Sequence, residues 1–250
     1  MKRHLLILLS AVVLVSLLLS SCSSLAGGKI RVATDATYPP FETVNEKTKQ
    51  LEGFDIDLMN AIAQKAGFQV EYVNLNFDPL LAGMAQCQYD LAISAITITE
   101  ERKKSFLFSD PYINAGQIVA VKKENNDIKS KDDLKGKKVG VQISTTGEIE
   151  AKKIAGATVK TYDTVDLAFL DLVNGQIDAV VTDDPTTRAF VAKSPDKMKT
   201  VGQPFTEENY GIAICNKKPD LQKKVNEALA ALKADGTIAK LDEKWVKGFK

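Results

Sequence analysis

The chain opens on a long apolar run, residues 5–19, broken only by Ser10 and Ser16, with Lys2 and Arg3 before it and Leu19-Ser20-Ser21-Cys22 after it. A positive end, a short apolar core and small residues at its close describe a signal peptide over 1–21, too short and wrongly flanked for a membrane-spanning helix. A linker at 22–28 follows. Beyond it, periods of two and of about 3.6 alternate. Residues 30–33 read as a strand. Residues 55–66 place Leu58, Met59, Ile62, Ala63 and Ala66 on one helical face and stop at Gly67. Asp78-Pro79 is expected to cap a short helix running through Leu81 and Met84. Residues 91–95 form the next strand, and Thr99-Glu100-Glu101 opens a helix with acids at its positive end.

The pattern then repeats. A Ser130-x-x-Asp133 cap opens a short helix to Leu134, residues 139–142 form a strand, and a polar turn at 144–147 leads into a helix over 148–154. Residues 164–174 are helical, and 177–182 form a continuous apolar strand of the kind buried in parallel sheets. Asp184-Pro185 caps the next helix, 210–215 read as a strand, and 221–234 carry Leu221, Val225, Leu229 and Leu232 at helical spacing before Gly236. Strands alternating with helices predict an α/β fold with mainly parallel sheets, two of them at this length.

Composition narrows the chemistry. Loss of the leader removes Lys2 and Arg3, so the 33 basic residues fall to 31 against 32 acids, with no basic excess for nucleic acid. His4, the one histidine, leaves too, which excludes a Ser-His-Asp triad, a histidine base and a histidine metal ligand. No metal and no cofactor are expected. Cys87 and Cys215 lie far apart in sequence and are either a disulfide or two unrelated buried thiols.

Leu19-Ser20-Ser21-Cys22 resembles the lipobox of bacterial lipoproteins, which implies that Cys22 is lipidated and becomes the mature N-terminus. Two or more acyl chains there would anchor the protein stably, whereas one holds only marginally. Four further motifs, Asp35-Ala36-Thr37-Tyr38-Pro39-Pro40-Phe41, Gly53-Phe54-Asp55-Ile56-Asp57-Leu58, Ile96-Thr97-Ile98-Thr99-Glu100-Glu101-Arg102 and Phe108-Ser109-Asp110-Pro111-Tyr112, resemble in order the polar amino-acid-binding proteins of ABC importers. The similarity runs on through Lys138-Val139-Gly140-Val141 and Asp178-Ala179-Val180-Val181 to Trp245. It implies the type II periplasmic-binding-protein fold. Lobe 1 would comprise 29–113 and 211–250 and lobe 2 would comprise 114–210, joined by crossovers near 114–117 and 206–211. It also implies a monomer at the outer face of the cytoplasmic membrane, working with a permease, and no enzymatic activity.

A free amino acid carries a carboxylate and an ammonium, and a site that removes both from water must answer each. By the resemblance, Arg102 grips the carboxylate with its planar fork, helped by the helix opening at 145–147 and Thr146. Asp183 takes the ammonium, with the Thr97 hydroxyl and the Ala95 carbonyl as further contacts, and Ser94 and Gln142 are also expected to line the ligand. Tyr38 and Phe77 match an aromatic pair that sandwiches the side chain, where a cation gains roughly 0.5–2 kcal/mol over a ring face. Taken singly, Arg102 reads as a solvated helix residue, Asp183 as a helix cap and the two aromatics as core.

Charge counting addresses the ligand. Arg102 and Asp183 are spent on the two backbone charges, which leaves Asp35 facing the side-chain end. Glutamine-binding relatives commonly carry a lysine where this chain has Gln142, so here Asp35 lacks that offset. A basic amino acid, arginine first and then lysine or histidine, completes the balance, whereas glutamine leaves Asp35 without a partner. Glutamine is the alternative, since a water could serve Asp35, and Ser144 stands where many relatives have glycine. Dehydratases of prephenate-like acids resemble the same pattern, and Asp35 or Glu42 would then be the proton donor. A receptor's ligand-binding domain is a third reading.

Overall fold

The computed structural model describes residues 28–249. The expected signal peptide, the lipidation site Cys22 and most of the linker lie outside the described residues. Two five-stranded sheets share one plan. In the first, β1 (Ile30–Thr34), β5 (Val70–Asn74) and β6 (Leu91–Ala92) run parallel, and β15 (Ala213–Ile214) returns antiparallel between β6 and β7 (Leu107–Phe108), giving the order β5-β1-β6-β15-β7. In the second, β10 (Lys138–Gln142), β11 (Thr158–Tyr162) and β12 (Ala179–Asp183) run parallel. Here β9 (Gln117–Lys122) lies antiparallel between β12 and β13 (Met198–Val201), giving β11-β10-β12-β9-β13. The sheets are therefore mixed, each parallel only over three strands.

Two short strands connect them. β8 (Ile113–Ala115) pairs antiparallel with β14 (Glu208–Tyr210), Asn114 opposite Asn209. A small meander of β2 (Thr37–Tyr38), β3 (Glu42–Val44) and β4 (Leu51–Glu52) follows β1.

Period-two burial explains the second sheet. Val119, Val121, Val139, Val141 and Val181 face Ala151 of α4 (Thr146–Lys152), while Ala120 and Val180 face Ala168, Phe169 and Leu172 of α5 (Val165–Val173). Both sides of β12 are buried, which accounts for its apolar run. On the first sheet, Phe77, Leu80 and Met84 of α2 (Phe77–Ala85) pack on Ala33 and Ala92. The opposite face meets Leu58, Met59 and Ile62 of α1 (Phe54–Ala66) and Val225 and Leu229 of a later helix, Pro219–Ala234.

Several ends differ from expectation. α1 stops at Gly67 in the left-handed conformation as its sequence requires. However, α2 starts at Phe77 after Asn76, so Asp78 lies inside the first turn rather than capping it. The helix after β12, α6 (Asp184–Lys193), is preceded by Asp183 at the cap position, one residue earlier than Asp184. The expected strand over 210–215 divides at Gly211, where the chain leaves the connecting pair for the first sheet; a Cβ there would lie 2.8 Å from Ile98. Residues 93–95 leave the ladder, and Ala95 has φ +46°. Among the described residues no helix is long and apolar enough to cross a membrane. Cys87 and Cys215 form a disulfide, which resolves the alternative left open by spacing.

Candidate functional site

The carboxyl ends of the strands in both sheets point toward one cavity, the place where open α/β sheets present ligands. Asp35 follows β1, Ser94 and Ala95 follow β6, Gln142 closes β10 and Asp183 closes β12. Phe77 and Thr146 come from the first residues of α2 and α4, and Arg102 from the four-residue helix Glu100–Lys103, whose cap Thr99 accepts the Arg102 N–H. These, with Tyr38, Thr97 and Thr145, line one narrow cleft. All ten residues singled out from sequence thus lie on one wall or the other of a single cleft.

Arg102 is half-buried, and desolvation lowers its pKa while Asp183 and Glu208 oppose that change. Its guanidinium donates to the Thr97 carbonyl at 2.8 Å and, across the cleft, to the Ser144 carbonyl at 3.0 Å. Its carbon lies 5.3 Å from the Phe77 ring centroid. Two of its five N–H bonds are used by these carbonyls, which leaves the rest of the fork for an anion.

Asp183 occupies a helix-cap position yet makes no capping bond. Its carboxylate turns into the cleft instead, accepting from the Tyr38 hydroxyl at 2.6 Å and the Gln117 amide at 2.5 Å. Burial, then the charge of Glu208, pushes its pKa up to about 7. Tyr38 also meets the Thr182 hydroxyl at 2.7 Å, so one phenol ties the two walls together.

Asp35 is 2% exposed, and burial raises its pKa. It accepts from the Thr37 hydroxyl at 2.8 Å, the Phe77 N–H at 3.1 Å and, across the cleft, the Gln142 amide at 2.7 Å. This corrects the idea that an uncharged ligand would leave it without a partner. What Asp35 lacks is a cation, not a donor.

Two further expectations change. The Thr146 hydroxyl does not point its proton at a ligand carboxylate, because it donates to Glu208 at 2.8 Å; only the backbone of that turn remains as a donor. Glu42 cannot be a cleft acid, since it lies fully buried behind Ser94, which donates to it at 2.9 Å. There it meets Asp55: burial and then the Asp55 charge hold Glu42 well above the usual carboxylate range, while burial, opposed by the hydrogen bonds of Ala95, Tyr112 and Glu42, raises Asp55 to about 6. Asp55 in turn fixes the Ala95 N–H at 2.8 Å and the Tyr112 hydroxyl at 2.9 Å, holding Ala95 in its left-handed conformation.

Glycine is required at the lip. A Cβ on Gly147 would lie 2.9 Å from both Gln117 Oε1 and the Val181 carbonyl. Ser144 has φ +64°, which explains why glycine suits that position, but its hydroxyl spans the cleft to Asp78 at 2.5 Å. Gln117, Thr182 and Glu208 were missed from sequence. The available sign was that Thr206, Glu208 and Tyr210 alternate onto one face of an expected crossover strand. Among the described residues no histidine, cysteine and carboxylate group could hold a metal.

Residues 30–248 match the family described as bacterial extracellular solute-binding proteins, family 3. The chain belongs to that family. This solute-binding protein is 36% identical to the L-cystine-binding protein TcyJ of Escherichia coli K12, over 87% of this chain and 82% of that one. Structures of an ancestral arginine-binding protein, one bound to arginine and one to glutamine, are each 47% identical with TM-score 0.84. They cover 87% of this chain and 98% and 97% of theirs. The arginine-, lysine-, histidine-binding protein ArtJ of Geobacillus stearothermophilus is 38% identical with TM-score 0.82, over 87% of this chain and 94% of its own. These relatives are binding proteins rather than enzymes, and family membership places this one outside the cytoplasm.

Proposed function

We propose that this protein captures a basic amino acid, arginine foremost, between its two lobes and delivers it to the permease of an ABC importer while anchored by lipid on Cys22. An amino acid as the class of ligand agrees with its binding-protein relatives. The single observation that carries the side-chain choice is the charge around the cleft. Three buried carboxylates, Asp35, Asp183 and Glu208, stand against one half-buried guanidinium, Arg102. A zwitterion adds no net charge. A basic amino acid adds one positive charge where carboxylates outnumber cations, and the rise of Asp183 to about 7 has burial as its first cause and the Glu208 charge as its second.

Arg102 serves the ligand carboxylate, Asp183 the ammonium, and Tyr38 and Phe77 flank the side chain, with Asp35 at its far end. Donors on both walls make the ligand a bridge that favours closure. Glutamine is the second reading, favoured by the Gln142 amide already held on Asp35. Calorimetry with the twenty amino acids tests the assignment: arginine, lysine or histidine should bind most tightly, and a preference for glutamine would reverse it. Anchoring is tested by Cys22→Ser, which should release the protein from membranes.

A further inference from the structure

Glu208 is a buried group that no motif accounts for. It lies on the connecting strand β14, 8% exposed, and both of its oxygens are engaged. Oε2 accepts from the Thr97 hydroxyl at 2.6 Å and the Thr146 hydroxyl at 2.8 Å. Oε1 accepts from the Thr206 hydroxyl at 2.9 Å and the Gln117 amide at 3.0 Å. The donors on Oε2 come from opposite walls, Thr97 beside the first sheet and Thr146 at the head of α4.

The direction of these bonds decides what the cavity presents. A carboxylate only accepts, and a threonine hydroxyl owns a single proton. Once Thr97 and Thr146 have given theirs to Glu208, their oxygens keep nothing but lone pairs for a ligand. The same Gln117 amide also reaches Asp183 at 2.5 Å and Thr146 at 3.1 Å, so it orients the neighbouring acceptors as well. Around Asp183 the side chains of Thr97 and Thr146 therefore offer only acceptors, which suits an ammonium and rejects a carboxylate.

We propose that Glu208 is the positioning residue of the ammonium subsite, turning the hydroxyl protons of Thr97 and Thr146 away from the cavity so that both oxygens join Asp183 in receiving the ligand's α-ammonium. This rests on the reading of the cleft as an amino-acid site, and adds how that site distinguishes the ammonium end from the carboxylate end. Glu208 does not itself line the cavity; it acts through the two threonines.

The test uses Glu208→Gln, whose amide can donate and so reverses one of the two hydroxyls, together with Thr97→Val. Arginine affinity should fall about tenfold to a hundredfold in Glu208→Gln, the scale of a hydrogen bond involving charge. Adding Thr97→Val should cost little more, because residues acting through one another are not additive. 5-Guanidinopentanoate, which is arginine without its amine, should bind wild type and Glu208→Gln alike, and the ligand-free melting temperature should stay within a few degrees. Losses that multiply, or an equal loss for the amine-free analogue, would reduce Glu208 to packing of the connecting strands. Wild-type protein that binds none of the twenty amino acids would overturn the cleft assignment itself, along with this role.

Discussion

Gln142 reaches from the end of β10 to Asp35 beyond β1, its amide 2.7 Å from the carboxylate on the opposite wall. The contact gives Asp35 two duties at once. It holds the Thr37 hydroxyl and the Phe77 N–H, and it presents charge to the cavity. Asp35→Asn should therefore lower the ligand-free melting temperature, since an asparagine NH2 placed among donors leaves at least one of them unpaired, at about 1–3 kcal/mol. Arginine affinity should drop by tenfold or more beyond whatever glutamine loses. Titrating both ligands into wild type and variant decides it, because equal losses would remove Asp35 from side-chain recognition.

Gln142→Lys offers the converse. An ammonium at that position would pair with Asp35 and repel a guanidinium, so preference should move from arginine toward glutamine. The change should exceed the 0–1 kcal/mol typical of exposed ion pairs, because both groups are buried. The ratio of the two affinities, compared with wild type, is the readout; an unchanged ratio would place the side-chain end of the ligand elsewhere.

With Asp183 assigned to the ligand's ammonium, binding should depend on pH. Its folded pKa of about 7 lies above the ordinary value of 3.8, so its contribution to ligand-free stability is present at low pH and is lost as pH rises through 7. An ammonium needs the ionised form, so affinity moves the opposite way. Arginine binding should tighten as pH rises from about 5.5 toward 7 and level off above, with proton release measurable by calorimetry in buffers of different ionisation enthalpy. Asp183→Asn should flatten the profile and weaken binding throughout.

The Cys87–Cys215 disulfide closes a loop of 128 residues between two segments that pack on the first sheet, and neither cysteine lines the cleft. Replacing both with serine should cost up to about 5 kcal/mol in denaturant unfolding under oxidising conditions. Arginine affinity should be almost unchanged. A large loss of affinity would mean that the bridge shapes the cleft as well as the fold.

Much of this arrangement was legible in sequence, for a physical reason. Strand ends and helix starts carry local signatures, and in an α/β fold they are also where ligand groups sit. Asp35, Gln142 and Asp183 each follow or close an apolar run, so reading the run locates the residue. Proline was a poorer guide to helix starts. It lacks the N–H that any first-turn position leaves unused, so Pro79 in the third position and Pro185 in the second are as comfortable as in the first.

Glu208 and the Glu42–Asp55 pair were invisible for a different reason. Their partners Thr97, Gln117 and Ser94 lie between about 50 and 110 positions away, and no local period encodes such meetings. Asp55 could be placed within a motif, yet its work on Ala95 and Tyr112 emerges only once β6 and the connecting strand are brought beside α1.

The threading of the first sheet also orders assembly in time. Every strand of the second sheet falls within residues 117–201, an uninterrupted stretch, whereas β15 must insert between β6 and β7 after more than a hundred intervening residues. Pairings so distant in sequence are slow to form because the loop must close before the contacts reward it. The second sheet can therefore mature alone while the first waits with a gap between β6 and β7. Because each wall of the cavity grows from a different sheet, capacity to hold a ligand should be the last property gained on refolding and the first lost when β15 detaches.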